Sequence, residues 1–459
     1  MHKNTSSLLE RVQHHASSWF ASLDSREVRA TVSADELRQA LGGLLTDEGI
    51  APEDLIEVLA NAGMRGTVAS AGPRYFGFVV GGSLPAALAA DWLVSSWDQN
   101  CGIYALSPLT SVIERITGSW LLELAGLPST MSFGFVTGCQ MANFTALAAA
   151  RHGVLQKAGW DVEADGLFGA PPIEVLVSEE AHYTIFMALR LLGLGSARVR
   201  RIPTDDQGRM RARDLKDALR AHGGPRIICA QAGNVNTGAV DPLNEIAAVA
   251  KDCGAWFHVD GAFGLWAAAS PDRAALVSGV EKADSVATDA HKWLNVPYDC
   301  GIVFCADEAA HRGAMSLAAA YIVATKEERD PHEFVPEESR RARAIPVYAA
   351  LRSLGRKGLG ELIERNCRQA HRFAAALQSA GYDVLNDVTL NQVLVSFGDA
   401  EQTQRAIKAI QEEGTCWCSG TVWKGRTAMR ISVSNWSTTD EDVEKSIKAI
   451  VSVARSCAG

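Results

Sequence analysis

The sequence predicts an α/β protein with a mostly parallel sheet covered by helices on both faces, followed by a smaller α+β domain with an antiparallel sheet. Between residues 133 and 305, short apolar runs alternate with stretches of helical periodicity. That alternation is typical of strands joined by crossover helices. After residue 345 the periodicity indicates two helices, three weaker strands and a last helix over residues 440–456. At 459 residues the chain is long enough for two or three domains.

The chain divides into three predicted segments, namely a helical arm over residues 1–72, a large α/β domain over 73–335 and a small domain over 336–459. In the arm, Ser33 is followed three positions later by Glu36 and then by leucines at helical spacing, a pattern that predicts a capping box and an apolar helix face. Such an arm has no core of its own. It packs either on another subunit or on its own domain, and the sequence leaves both open.

Composition excludes several classes of function. The 44 Lys and Arg against 53 Asp and Glu give a net charge of −9, which argues against a nucleic-acid partner. No apolar run is long enough to span a membrane, and the first 18 residues lack the apolar middle of a signal peptide. The ten cysteines lack metal-ligand spacing. We therefore expect a cytoplasmic protein without a metal site.

Seven strands of the large domain are predicted in order. In a sheet of this kind, ligands bind at the edge formed by the carboxyl ends of the parallel strands. A glycine turn at Gly138, the carboxylate of Asp260 and the amine of Lys292 each follow one of these strands. The predicted strands cover residues 133–136, 175–177, 198–202, 227–230, 256–259, 285–288 and 301–305.

Lys292 is a candidate imine-forming lysine. Its compact amine follows a buried strand beside His291, and a lysine pKa falls readily on desolvation. Asp260, at the end of the preceding predicted strand, supplies the carboxylate that the ring nitrogen of pyridoxal 5′-phosphate (PLP) needs. Taken singly, each residue is more often a strand or turn cap. Together they predict a PLP site.

The turn at Gly138, Cys139 and Gln140 is a candidate phosphate site. It joins a short apolar strand to a helix, so free N–H groups and the helix dipole converge on an anion. A glycine turn alone is weak evidence, because every α/β fold has several. Its position as the first strand-to-helix turn before the lysine strand strengthens the assignment.

Residues 256–262 (Trp-Phe-His-Val-Asp-Gly-Ala) and 289–293 (Asp-Ala-His-Lys-Trp) resemble the group II PLP-dependent amino-acid decarboxylases. That family includes the aromatic amino-acid, glutamate and aspartate decarboxylases. The resemblance runs from about residue 74 to about residue 360, and it is specific for the family but poor at naming the substrate. It implies PLP fold type I, like that of aspartate aminotransferase, and a homodimer with its active site at the interface.

The resemblance also implies roles for individual residues. The histidine matching His182 stacks on the cofactor ring and touches the substrate carboxylate, and the tyrosine matching Tyr321 protonates the substrate carbon. Tyr321 is otherwise a core tyrosine. With Lys292 and Asp260 these are the predicted catalytic residues. The predicted cofactor contacts are Lys292, Asp260, Ala262, His182, Gly138, Cys139, Gln140, Asn236, Asp289 and His291.

Two positions depart from the family pattern. Relatives usually carry serine where Gln140 stands, so a side-chain hydroxyl to the phosphate is lost here. They often carry a pair of threonines where Asn234 and Val235 stand, and valine cannot replace a hydroxyl. The backbone N–H groups of the phosphate turn are unaffected by these changes.

The predicted reaction is decarboxylation of an L-amino acid to its amine and CO2. Asn100 and Tyr104 match segments that line the substrate pocket in relatives, and Arg430 is a third candidate substrate contact. An arginine that pinned the substrate carboxylate in the ring plane would instead favour an aminotransferase. Tryptophan-rich segments favour an aromatic substrate, whereas Asn100 favours an acidic one. An acidic-amino-acid decarboxylase, an aldehyde synthase and an aminotransferase therefore remain alternatives.

Overall fold

The computed structural model describes residues 2–219, 223–316 and 328–457. Its N-terminal arm consists of helices α1 (His2–Ser22), α2 (Ala34–Leu41) and α3 (Pro52–Gly66). The capping box at α2 is confirmed, since the Ser33 side chain accepts from the Glu36 N–H and the Glu36 carboxylate accepts from the Ser33 N–H. No residue of α2 or α3 is buried. The leucines of the predicted apolar face therefore remain largely exposed on this chain.

A mixed seven-stranded sheet forms the centre of the large domain. Helices pack on it along the chain, as the alternating pattern predicts. Its elements are α4 (Pro85–Trp97), α5 (Pro108–Leu124), β1 (Ser132–Val136), α6 (Cys139–Lys157), α7 (Val162–Asp165), β2 (Glu174–Ser178), α8 (Tyr183–Leu191), β3 (Arg200–Ile202), α9 (Ala212–Ala218), β4 (Arg226–Gln231), α10 (Leu243–Cys253), β5 (Trp256–Asp260), β6 (Ser285–Asp289), β7 (Gly301–Cys305) and α11 (Glu308–Met315).

The strand order is β1-β7-β6-β5-β4-β2-β3. β7 runs antiparallel to both of its neighbours, and the other neighbouring pairs are parallel. The predicted mostly parallel sheet is thus confirmed. Every residue of β4, β5, β6 and β7 is buried, because layers of helix cover the sheet. The carboxyl ends of β1, β5 and β6 consequently lie at the same edge.

Helix α6 carries the phosphate turn to that edge. Its inner face is built from small residues, among them Ala142 and Ala146, which are fully buried against β6 and β7. The turn itself is pressed onto the start of β7. A Cβ added at Gly301 would lie 2.3 Å from the Gly138 carbonyl carbon, so only glycine fits there. Close packing therefore fixes the amino end of α6 beside the ends of β5 and β6.

The small domain is an antiparallel four-stranded sheet of order β10-β11-β9-β8 with helices packed on it. Its first helix breaks at Gly355, where φ is 63°. The elements are α12 (Ala344–Ser379), β8 (Asp383–Val384), β9 (Gln392–Ser396), α13 (Ala400–Glu413), β10 (Ser419–Trp423), β11 (Arg426–Ser432) and α14 (Asp440–Ser456).

The α+β architecture predicted for this domain is confirmed, although α13 and β10 were not among the predicted elements. The domain boundaries after residues 72 and 335 stay predictions. Within the part of the chain that the structure describes, no helix has both the length and the apolar character needed to cross a bilayer.

Candidate active site

Three separate stretches of sequence converge at the carboxyl edge of the sheet. The N–H of Cys139, the first residue of α6, donates to Asp289 Oδ1 at 2.6 Å. The Cys139 thiol lies 3.4 Å from Asp260 Oδ1, at the end of β5. The Lys292 amine lies 2.9 Å from Asp289 Oδ2. The phosphate turn, the aspartate strand and the lysine segment therefore form one cluster, as the sequence predicts.

Lys292 lies in the loop after β6, and the loop before α4 packs closely on it. A Cβ at Gly81 would lie 1.9 Å from the Lys292 carbonyl oxygen, so the loop before α4 rests directly on the lysine. Burial acts to lower the pKa of the Lys292 amine, but the charge and hydrogen bond of Asp289 outweigh it and hold that pKa above its ordinary value. The amine is therefore an ammonium ion at neutral pH, and it must lose a proton before it can act as a nucleophile.

Three donors hold the carboxylate of Asp260. Its Oδ1 accepts from the Cys139 thiol and from the Ala262 N–H at 3.1 Å, and its Oδ2 accepts from Asn143 Nδ2 at 3.2 Å. The residue is only 5% exposed. Hydrogen bonds to an ionised group in a buried site are strong and directional, so this carboxylate is fixed in one orientation.

Behind Asp260 runs a chain of buried hydrogen bonds. Asn143 Oδ1 lies 2.9 Å from His258 Nε2, His258 Nδ1 lies 3.0 Å from Ser285 Oγ, and Trp256 Nε1 donates to Ser285 Oγ at 2.9 Å. Burial lowers the pKa of His258 to about 4, so its ring is neutral at pH 7. Because the Asn143 amide nitrogen donates to Asp260, its oxygen must accept the His258 Nε2 hydrogen. Ser285 then donates to Nδ1, and every hydrogen bond points toward Asp260.

Asn143 and Ser285 were not identified from the sequence. Both lie inside apolar elements, where a lone polar residue gives little indication of its partner. Asn143 does stand out as an amide on the otherwise alanine-rich inner face of α6. A buried amide of this kind requires hydrogen-bond partners, and this requirement was the one available clue.

His182 lies in the loop after β2, between the sheet edge and the small domain. Its Nδ1 lies 2.8 Å from Thr184 Oγ1. Burial lowers the pKa of the His182 ring, and the charges of Lys292 and Arg430 act in the same direction, whereas the Asp260 charge opposes them. The imidazole is therefore neutral at pH 7. The ring packs against Tyr183 with ring centroids 4.5 Å apart, and its stacking on a cofactor stays a prediction.

Arg430 reaches the same region from β11 of the small domain. Its Nη1 donates to Asn236 Oδ1 at 3.4 Å, an oxygen that also accepts from Thr421 Oγ1 at 3.0 Å. Its Nε has no hydrogen-bond partner among the described residues, and burial lowers the pKa of the guanidinium to about 10. An incompletely compensated buried cation favours an anionic ligand. Arg430 therefore suits a carboxylate, whereas the Asn236 side chain is engaged by Arg430 and Thr421, and its cofactor contact stays a prediction.

The structure ties Asn100 and Tyr104 to the segment after residue 328. Asn100 Oδ1 accepts from the Arg340 N–H at 3.1 Å, and the Tyr104 N–H donates to Asp330 Oδ1 at 2.8 Å. These contacts do not bring either residue to Lys292, and their role in the substrate pocket stays a prediction. Tyr321 lies outside the described residues.

The remaining predicted contacts surround the cluster. Ala262 follows Asp260, and its carbonyl accepts from the Asp289 N–H at 2.9 Å. His291 Nε2 lies 3.5 Å from Asp289 Oδ1. Gln140, in contrast, is exposed on the first turn of α6. Its side chain is thus free of the buried cluster that its neighbour Cys139 joins.

An aromatic wall forms on the loop that covers Lys292. Tyr75 stacks on Trp417 with ring centroids 5.1 Å apart and planes 9° apart, and Phe78 lies 5.4 Å from the same tryptophan. A Cβ at Gly77 would collide with Trp417, so this loop is pressed onto the tryptophan. Tyr298 packs on His291 with centroids 4.4 Å apart. Tyr298 therefore lies directly against the polar cluster, whereas Tyr75 and Trp417 also pack with Leu23 and Val28 of the N-terminal arm.

The residues at this edge fit PLP. Lys292 supplies the amine for an imine, Asp260 supplies a fixed carboxylate for the ring nitrogen, and the amino end of α6 supplies N–H groups for a phosphate. The family described as "Pyridoxal-dependent decarboxylase conserved domain" matches residues 44–398. The chain belongs to the pyridoxal-dependent decarboxylase family. It is therefore a PLP-dependent carboxy-lyase that decarboxylates an amino acid, as the resemblance predicts.

Relatives within this decarboxylase family differ in substrate. The chain is 28% identical to the aromatic-L-amino-acid decarboxylase of Bacillus atrophaeus over 450 residues, 94% of this chain and 92% of that one. It is 31% identical to the L-2,4-diaminobutyrate decarboxylase of Rhizobium meliloti over 384 residues, 80% and 75% of the two chains. Its fold matches that of Oryza sativa TDC, solved with PLP and tryptamine, with a TM-score of 0.92 at 23% identity over 99% and 98% of the chains. Predicted fold type I is thereby confirmed.

Proposed function

We propose that this decarboxylase converts an aromatic L-amino acid to the corresponding amine and CO2. The observation that carries the proposal is the aromatic wall of Tyr75, Phe78 and Trp417. The loop bearing Tyr75 and Phe78 also rests on Lys292 through Gly81. Aromatic rings pack well on one another, and such pairs contribute about 0.5–1.5 kcal/mol beyond the area that they bury. The similarity to an aromatic-L-amino-acid decarboxylase supports the same choice.

The residues of the chain would divide the work as follows. PLP, when bound, accepts the electron pair left on the substrate carbon when a bond to that carbon breaks. Lys292 attaches the cofactor, and Asp260 keeps its ring nitrogen protonated. The neutral imidazole of His182 would bind and orient the substrate carboxylate, which favours its loss as CO2. Tyr321 then returns a proton to the substrate carbon as a general acid.

A second candidate is decarboxylation of an acidic amino acid. It is favoured by Arg430, whose buried guanidinium has an Nε without a hydrogen-bond partner among the described residues and whose charge lowers the pKa of His182. Arg430 would pair with the side-chain carboxylate of such a substrate. If it instead paired with the α-carboxylate, that group would be retained and transamination would be favoured. The two arrangements predict different products from the same protein.

A panel of L-amino acids tests the proposal directly. The holoenzyme is expected to release amine and CO2 in equal amounts from tryptophan, tyrosine, phenylalanine or a ring-substituted relative, with kcat/KM at least tenfold above that for glutamate and aspartate. Preference for an acidic substrate would refute the aromatic assignment. Keto acid or aldehyde as the main product would refute decarboxylation as the dominant reaction.

Replacing Tyr321 with phenylalanine tests the proposed general acid. Without its hydroxyl, the substrate carbon is protonated more slowly, so dioxygen competes for it and the products shift from amine toward aldehyde and ammonia. The measurement is the amine-to-aldehyde ratio together with oxygen uptake. Tyr382→Phe, in the small domain against Phe397, is the matched control. An unchanged amine yield in Tyr321→Phe would remove this residue from the mechanism.

We also propose that the protein is a cytoplasmic homodimer with the active site at the interface. The described arm exposes a row of apolar side chains, and Leu44 and Leu45 are 95% and 101% exposed. Apolar surface of this extent favours a partner. All ten cysteines are free thiols, as suits a reducing compartment. Sedimentation equilibrium is expected to give twice the chain mass of 49.1 kDa, and Leu44→Glu combined with Leu45→Glu is expected to weaken the dimer. A monomer at micromolar concentration would contradict the proposal.

A further inference from the structure

Asp289 occupies an unusual position within the cluster. Its Oδ1 accepts the N–H of Cys139 at the amino end of α6, and its Oδ2 accepts from the Lys292 ammonium. The residue is 2% exposed. Its backbone is also fixed, because its N–H donates to the Ala262 carbonyl and its carbonyl accepts from Trp266 Nε1 at 2.8 Å. The carboxylate therefore cannot move far from the helix end.

The two groups that Asp289 holds are the two that PLP requires. The cofactor needs the Lys292 amine for its covalent link, and its phosphate needs the N–H groups at the amino end of α6. A phosphate at that helix end would lie next to a fixed carboxylate. Two anions in a buried site repel each other strongly, because the local dielectric constant is low. The dipole of α6 stabilises negative charge at its amino end, and the Asp289 carboxylate already occupies that position.

We propose that Asp289 is a built-in anionic competitor that weakens phosphate binding and makes cofactor retention depend on pH. The proposal rests on PLP binding by the family, and it does not depend on which amino acid is decarboxylated. The carboxylate repels a phosphate dianion more strongly than a monoanion. A phosphate ester loses its second proton near pH 6, so the penalty is expected to grow as pH rises through that value.

Above pH 6.5, the thiols, the phenol and the imidazoles around Asp289 do not change charge. Burial raises the pKa values of the Cys139 and Cys300 thiols, so both stay neutral, and burial likewise raises that of Tyr298. Burial lowers the pKa values of His291 and His182, which are neutral above pH 6.5. Lys292 stays charged throughout.

The residues facing Asp289 thus contribute a constant charge above pH 6.5. In that range the phosphate is left to carry the pH dependence. Below it, protonation of His291 or His182 would add positive charge near the phosphate. That change strengthens binding at low pH, in the same direction as the proposed effect.

Binding of pyridoxine 5′-phosphate tests the proposal without any covalent step, because this probe has the phosphate of PLP but no aldehyde. Asp289→Asn keeps the shape of the side chain, removes its charge and adds an N–H donor. We expect this variant to bind the probe at least tenfold more tightly than the unchanged protein at pH 8, and by a smaller factor at pH 5.5. Titration of each protein, freed of PLP, with the probe and measurement of tryptophan fluorescence quenching gives the dissociation constants.

Pyridoxine, which has neither phosphate nor aldehyde, is the matched ligand control, and its affinity should change less than twofold in Asp289→Asn. A tenfold gain for both ligands would show a general change in the pocket and overturn the proposal, as would equal or weaker binding of pyridoxine 5′-phosphate at pH 8. The unchanged protein offers a second test, because its affinity for the phosphate probe must fall between pH 6.5 and 8. An affinity that rises with pH would contradict the proposal even if the variant failed to fold. Failure of the aromatic assignment would appear only in the amine assay.

Discussion

Replacing Lys292 with alanine is expected to lower kcat for decarboxylation by roughly 10⁴-fold or more, the scale of loss seen when an enzyme's covalent nucleophile is removed. The amine is the group at this sheet edge that can form an imine with an aldehyde. Its removal also leaves Asp289 as a buried carboxylate without the ammonium that lies 2.9 Å from it. The variant should therefore bind PLP weakly and show no visible absorbance band from an imine.

Two further variants make this result interpretable. Lys292→Arg keeps a positive charge beside Asp289 but offers no nucleophilic amine, so it should fold like the unchanged protein and be equally inactive. Lys408→Ala, on the exposed face of α13, should retain full activity. A rate within tenfold of the unchanged enzyme in either Lys292 variant would mean that the covalent attachment is elsewhere.

Replacing Asp260 with asparagine is expected to raise the activation free energy of decarboxylation by about 3–5 kcal/mol, by analogy with breaking a buried ion pair. This corresponds to roughly a hundred-fold to several-thousand-fold loss of rate. Asparagine keeps the shape of the side chain, but it cannot hold the cofactor ring nitrogen in its protonated form. KM should change little, because the reaction depends on the charge opposite the ring rather than on substrate contacts.

Asn143→Ala is expected to have a smaller effect than Asp260→Asn. It removes one donor to the Asp260 carboxylate and breaks the hydrogen-bond chain that runs back to Trp256. The carboxylate remains, so the expected loss of kcat is about tenfold. The control is Thr145→Val, because Thr145 is a buried residue of the same helix whose hydroxyl donates to the Met141 carbonyl and not to Asp260. Rates of Asp260→Asn within threefold of the unchanged enzyme would contradict the assigned role.

The sequence predicted the large domain well because its strands, apart from the edge strand β3, are short runs that are buried on both faces. The same logic located Lys292 and Asp260, since a polar residue directly after such a strand must lie at the edge of the sheet. Prediction of the small domain was poorer. The buried residues of α13, Thr403, Ala406, Ile407 and Ile410, do follow helical spacing, so this helix was predictable and was missed. Strand β10 has two exposed positions and lacks a regular alternation of buried and exposed residues.

Hydrogen bonds between residues far apart in the sequence could not be predicted either. Asn143 contacts His258 and Asp260 across 115 and 117 positions of sequence, and no local pattern indicates those pairs. Asp289 could be predicted as a cofactor contact from its place before Lys292. Its hydrogen bond to the first N–H of α6 could not, because it depends on how closely the Gly138 turn packs on β7.

The most direct test of the account is reduction of the holoenzyme with borohydride, followed by proteolysis and mass spectrometry. The reagent converts an imine between PLP and a lysine into a stable secondary amine, so the labelled peptide identifies the attachment site. The expected result is a single phosphopyridoxyl group on Lys292. Label on another lysine, or an unlabelled Lys292 in a protein that retains PLP, would contradict the central claim.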